Sequence, residues 1–315
     1  MRQRCFQIYL SLFITCLLTS CEKIDMEASG QGADMGDGHN VLIRVVDVDA
    51  GWNGSVSRSQ VSIAEVCSRL QFAVYRDGDR VKYANQSTSD GSFGSFAVQL
   101  EAGVYQLLFL SHSGASNVTT TNPEKLQFKN PGASGGTGFT DTFYYYGDMI
   151  VGSDGTLADI HMKRATSMFR LKTADGKPAD VKKFQFYYTG GSGTLNAITG
   201  CGCVKSQQKV PVELSGSRAG EPLIFEMYTF LHQENGVVTF TVTALGDDDN
   251  VLYTKKFEVP MRRNCVTQYT GNFFTDDNGE TPAQPNFPDD DSPYDEPSGG
   301  ITVDPGWDHV FDYTF

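Results

Sequence analysis

Lysine and arginine are missing from positions 276–315, which hold eleven Asp or Glu residues. Residues 1–20 reverse this, with Arg2 and Arg4 and no acid. Between them stand 27 acids and 23 bases, so most of the formal charge of −13 belongs to the tail. No basic patch suits a phosphate backbone, which argues against nucleic acid as a partner. Histidine is scarce: the five residues at 39, 112, 161, 232 and 309 are scattered, none at metal-ligand spacing from another. No phosphate loop or dinucleotide fingerprint stands between a strand and a helix. No helical repeat of about 34 residues and no propeller repeat of about 45 is present. Gly132-Ala133-Ser134-Gly135-Gly136 matches the nucleophile-elbow pattern. It follows Asn130-Pro131 and precedes Thr137-Gly138, so it reads as a glycine-rich loop. No residue is assigned to catalysis or to a metal, and no cofactor is called for.

What is present is a globular composition. The chain has 315 residues, 39% of them apolar, with 33 glycines and 37 aromatic rings (21 Phe, 14 Tyr, 2 Trp). At roughly 150 residues per domain, the expectation is two domains. Many aromatics and few helix signals lean toward β structure.

The N-terminus reads as an address. Phe6 to Leu18 is a short apolar run behind Arg2 and Arg4. It is too short for a helix across a hydrocarbon core of about 30 Å, and it fits a signal peptide over residues 1–20. Leu18-Thr19-Ser20-Cys21 then reads as a lipoprotein box, with Cys21 as the lipidated residue that holds the chain to the outer membrane. Residues 21–40 are small and polar, a flexible tether.

Period-two alternation recurs through the body. Val238, Phe240, Val242 and Ala244 form one apolar row, and Phe184, Phe186 and Tyr188 another. Val251, Tyr253, Phe257 and Val259 form a third, and Ala158, Ile160 and Met162 a fourth. Val41 to Val48 and Val104 to Leu110 are more continuously apolar, which predicts central strands. Asp247-Asp248-Asp249-Asn250 predicts a hairpin turn, and Ser62-Ile63-Ala64-Glu65 a short helix or an early strand start. The fold class expected is all-β: β-sandwiches over 41–165 and 166–275, an acidic Pro-rich linker over 276–300 and a strand over 301–315. With the signal and Cys21 set aside, four cysteines remain, at 67, 201, 203 and 265. A bond from Cys265 to Cys201 or Cys203 and four unpaired thiols are both open.

The C-terminal segment alternates over fifteen residues. Ile301, Val303, Trp307, Phe311, Tyr313 and Phe315 share one face, and Asp304, Asp308 and Asp312 lie on the other. Such a strand needs a sheet. It can close the edge of its own body or, on its long charged linker, add to another molecule.

In combination these residues resemble the FimB-like minor and anchor subunits of Bacteroidales type V fimbriae, the fimbrillin-associated lipoproteins. The likeness rests on four segments in order. They are the box ending at Cys21, Leu100-Glu101-Ala102-Gly103-Val104-Tyr105-Gln106-Leu107, the pair Asp141-Thr142-Phe143-Tyr144-Tyr145 and Ile160-His161-Met162-Lys163-Arg164-Ala165, and the Thr-rich strands from Val237 to Val259. The resemblance covers most of residues 21–275 and implies two tandem transthyretin-like sandwiches, no catalysis, other fimbrial subunits as partners and a surface-exposed, lipid-anchored location. It further implies that stalk subunits lose their first strand to an Arg-directed protease and that anchors keep it. Cleavage here would fall after Arg58; the expectation is a mature chain that starts at Cys21. The acidic linker is a departure from the family pattern. Another reading is a surface glycan-binding lipoprotein that uses Phe143-Tyr144-Tyr145-Tyr146 as a platform, although a strand with two rings inward and two outward accounts for the run as well. A host or glycan ligand and a secreted hydrolase stay open as further possibilities.

Overall fold

The computed structural model describes residues 40–44, 48–50, 59–61, 63–129, 139–153, 156–160, 162–275 and 306–315. It is an all-β structure of sheets packed face to face. Among the described residues helix is confined to one α-helical turn, Ile63–Val66, and a 3-10 turn, Asp247–Asp249.

The first pair of sheets spans the N-terminal half. A five-stranded antiparallel sheet runs Lys163–Arg164, Thr142–Val151, Gly103–His112, Arg69–Arg76 and Asp79–Ser87. A three-stranded sheet faces it, with Val41–Arg44 between Thr156–Asp159 and Ser95–Val98. Val41, Ile43, Phe96 and Val98 from the small sheet meet Leu70, Phe72, Leu107 and Phe109 from the large one in a single core. The Phe72 ring lies 5.0 Å from both Phe96 and Phe109.

The second pair spans the C-terminal half. One sheet runs Ile224–Thr229, Ser167–Thr173, Cys265–Gly271, His309–Thr314, and the other Gln208–Glu213, Lys183–Thr189, Asn235–Leu245, Val251–Arg262. The second is antiparallel throughout. In the first, Cys265–Gly271 lies parallel to both its neighbours. The rows 184/186/188 and 238/240/242/244 are buried as the alternation predicts. They pack with Phe169, Leu171, Phe225 and Tyr269.

Two of the strands depart from the sequence reading. The row beginning at Val251 changes face, because the register shifts beside Leu245 and leaves an extra residue at Leu252. Val251 is 65% exposed, while Leu252 and Tyr253 pack on the core. Val104 is likewise exposed, although Leu107 to Leu110 beyond it are buried on both faces.

The double burial has a structural cause. Leu107 and Phe109 face the first core, while Leu108 and Leu110 face a third cluster at the seam between the halves. That cluster joins Tyr75, Val118, Leu126, Phe128 and Tyr144 from one half to Leu195, Ala197 and Phe230 from the other. A small sheet reinforces it, with Leu126–Gln127 pairing to Thr194–Asn196 and these to Cys201–Gly202. Each large apolar side chain buried there contributes about 1.5–3 kcal/mol.

Candidate assembly surface: the C-terminal strand and its seat

Residues 306–315 return to the body and lie along Cys265–Gly271. The pairing is parallel and in register from Cys265 opposite His309 to Thr270 opposite Thr314. The odd positions 311, 313 and 315 turn inward, as the alternation requires, while His309 is exposed. Phe311 is buried, the Tyr313 ring lies 5.4 Å from Tyr269, and the Phe315 ring 4.9 Å from Phe257. On the outer face the Gln268 amide donates to Asp312. The strand ends against Gly271, where any Cβ would collide with the Phe315 carbonyl oxygen. Glycine lets the two backbones approach there.

The segment enters this edge through a polar lock. Asn264, at φ 56° in the turn before Cys265, accepts the Asp308 amide on its carbonyl at 2.8 Å. Its side-chain amide donates to Asp308 Oδ1 at 2.7 Å. Burial raises the Asp308 carboxyl above its ordinary range. Trp307 stacks on Tyr228, with ring centroids 6.3 Å apart, and covers the Arg164 guanidinium 4.0 Å from its ring.

Arg164 is the most connected side chain of this surface and was no site residue in the sequence reading. Its side chain is 1% exposed. Nε and Nη2 donate to the two carboxylate oxygens of Asp141 at 2.8 and 3.0 Å, and Nη1 donates to Asn264 Oδ1 and the Gly306 carbonyl. Phe143 lies below the guanidinium at 4.7 Å. A buried cation needs this full set of acceptors, and a planar guanidinium supplies the fork that matches a carboxylate. The sequence signal was an Arg-Ala after an alternating strand, which says nothing of what the side chain meets.

Of the residues expected at a strand-addition interface, Trp307, Phe311, Tyr313 and Phe315 therefore come together on one edge of their own chain. Ile301 and Val303 lie outside the described residues, as do Cys21, Arg58, the 132–136 loop and the 276–300 linker. The aromatic run 143–146 divides between two cores: Phe143 is buried in the first and Tyr145 packs on it, while Tyr144 and Tyr146 join the seam. It presents no open platform of four rings.

All four cysteines at 67, 201, 203 and 265 are free. Burial pushes the Cys67 and Cys265 thiols up to about 12, so neither is a thiolate at neutral pH. Among the described residues no group of His, Cys, Asp and Glu could hold a metal ion, and no helix is long and apolar enough to cross a membrane.

A family model matches residues 41–312, that of a family of unknown function, DUF6562. The chain belongs to this family. The match spans both halves and most of the C-terminal strand. No curated protein matches the chain. Similar solved structures include a proposed adhesin from Bacteroides thetaiotaomicron, at 16% identity and TM-score 0.41, covering 69% of this chain and 80% of that one. The fimbrial anchor protein Mfa2 from Porphyromonas gingivalis aligns at 13% identity and TM-score 0.36, covering 68% and 80%. A fimbrial assembly protein from Parabacteroides distasonis aligns at 7% identity and TM-score 0.33, covering 74% and 89%.

Proposed function

We propose that this DUF6562 chain is a non-enzymatic outer-membrane lipoprotein, tethered through Cys21, that acts as an anchor or minor subunit of a cell-surface fimbria and joins other subunits by β-strand addition. The observation that carries the reading is the placing of residues 309–314. Among the described residues they form an edge strand bonded on one side only, behind a connecting segment of 25 residues at 276–300 with eight acids and five prolines. A strand so attached can leave its edge without dismantling a core, and its apolar face of Phe311, Tyr313 and Phe315 then needs another sheet. The position of Val41–Arg44 is also compatible: it is the middle strand of its sheet, so keeping it keeps the first core closed, as an anchor requires.

Deletion of residues 301–315 from the full chain tests strand addition: co-purification with fimbrial subunits is expected to be lost while the remaining body stays folded. Persisting co-purification would sink that part of the reading. For the anchor, Cys21→Ala is expected to move the protein from the detergent phase to the aqueous phase. A mature N-terminus at Cys21 by mass spectrometry supports an anchor; one at Ser59 would make the chain a polymerising or tip subunit.

A further inference from the structure

Arg164 touches three separate parts of the chain. Its own strand, Lys163–Arg164, pairs with Phe143 and Tyr144 of the first half, and Asp141 just before them holds its guanidinium by two hydrogen bonds. Asn264, in the turn between Val251–Arg262 and Cys265–Gly271, belongs to the second half and accepts from Nη1. Gly306 and Trp307 belong to the C-terminal segment and supply a carbonyl acceptor and an aromatic lid. The same residues are cross-linked around it. Thr166 Oγ1 donates to Asp141 Oδ1 at 3.1 Å, the Asn264 amide donates to the Thr166 carbonyl at 3.0 Å, and Asn264 holds Asp308 through both backbone and side chain.

We propose that Arg164 is a keystone through which seating of residues 306–315 stiffens the seam between the two halves, so that the C-terminal strand and the seam are thermodynamically coupled. With the segment seated, the guanidinium meets both the Phe143 and Trp307 rings and donates to acceptors from all three parts, Asp141, Asn264 and Gly306. With the segment unseated, Arg164 loses the Gly306 carbonyl and the Trp307 face together, and water reaches the guanidinium side of a pair whose Asp141 end is already 24% exposed. A charge pair is held more tightly the less water surrounds it, so the link from Asp141 to Asn264 weakens as well. Coupling of this kind is reciprocal: whatever loosens the Arg164 lock must also loosen the strand by the same factor. The apolar seam cluster around Leu126, Leu195 and Phe230 remains in place. The unseated state is therefore a looser joint and not two separated bodies. A strand leaving for a neighbouring molecule would then change the angular freedom of the chain it leaves.

Hydrogen exchange read by mass spectrometry on the full chain tests the coupling from both ends. Trp307→Ala is expected to speed exchange about tenfold in 309–314 and also in 141–146 and 163–167, while 70–74 and 183–189 keep their wild-type rates. Arg164→Lys, which keeps the charge but loses the fork, is expected to speed exchange about tenfold in 309–314. Trp307→Phe, with a ring still over the guanidinium, should lie close to wild type in all these segments. Acceleration in 309–314 alone in Trp307→Ala, or no acceleration there in Arg164→Lys, would mean that strand and seam are independent. Equal acceleration in 70–74 and 183–189 would mark Trp307 as a general stability residue, and would overturn the proposal as well.

Discussion

Among the described residues Val41–Arg44 pairs on both sides, with Ser95–Val98 and Thr156–Asp159, whereas His309–Thr314 pairs on one side only, with Cys265–Gly271. Both strands stand next to long polar segments of the sequence. The first puts Val41 and Ile43 at 0% exposure into the middle of a core. The second adds the half-buried Tyr313 and Phe315 rings to the margin of one that Phe169, Phe184 and Phe240 already fill. The lesson is that alternation and chain position alone do not tell how removable a strand is; the number of its neighbours does. A central strand carries two ladders and a face of the core, and an edge strand carries one ladder and a rim.

The sharpest way to break this comparison is Ile43→Asp. A carboxylate with no partner in the first core is expected to cost more than about 4 kcal/mol and to abolish cooperative thermal unfolding of that half. If the variant melts like the wild type, the central position of the strand has no energetic weight. Deletion of 306–315 is the matching change at the edge. The expected loss is about 2–4 kcal/mol, from the rings of Phe311, Tyr313 and Phe315 and one ladder, read as a lower but still cooperative melting temperature.

Acid should act on the two regions with opposite signs. His112 is fully buried under the seam, where Gly114 donates to Nδ1 at 3.0 Å and Nε2–H faces Gln71 Oε1 at 3.3 Å. Burial, with the Arg69 charge adding to it, lowers its pKa from 6.5 to about 4. The unfolded chain thus binds the extra proton between these values, and the stability this group supplies above pH 6.5 is lost as pH falls toward 4. The full loss is about 3 kcal/mol, checked by urea unfolding across that range, and His112→Gln should flatten the dependence. Asp308 runs the other way. Its raised pKa means that the folded chain takes up a proton first, so mild acid favours the seated C-terminal segment. Hydrogen exchange of 309–314 should then hold or slow as pH drops toward the Asp308 pKa, after correction for the intrinsic rate. The smallest effect is expected at Cys203, which is exposed just after the strand Cys201–Gly202 at the seam. Cys203→Ser should change stability by less than about 0.5 kcal/mol in the same unfolding assay.

The alternating rows at 184–188 and 238–244 were legible because a half-buried antiparallel strand must separate apolar from polar side chains every second residue. The face of Val251 was not, because a single extra residue at Leu252 inverts the row and leaves no mark in composition. The odd face of 311–315 was legible for the same reason as the other rows, and its inward orientation follows from it.

The sequence by itself determined the all-β character of the chain, the placing of most strands, the acidic character of the tail and the apolar face of its last strand, since each is a local pattern along one stretch of chain. Only the tertiary structure decided that this last strand lies parallel to Cys265–Gly271 in the same chain, that the aromatic run 143–146 serves two cores at once, and that Arg164 sits between Phe143 and Trp307. Each of these joins residues far apart in the chain, as Arg164 and Gly306 are at 142 positions, and no short-range periodicity encodes which distant surface will complete a buried charge.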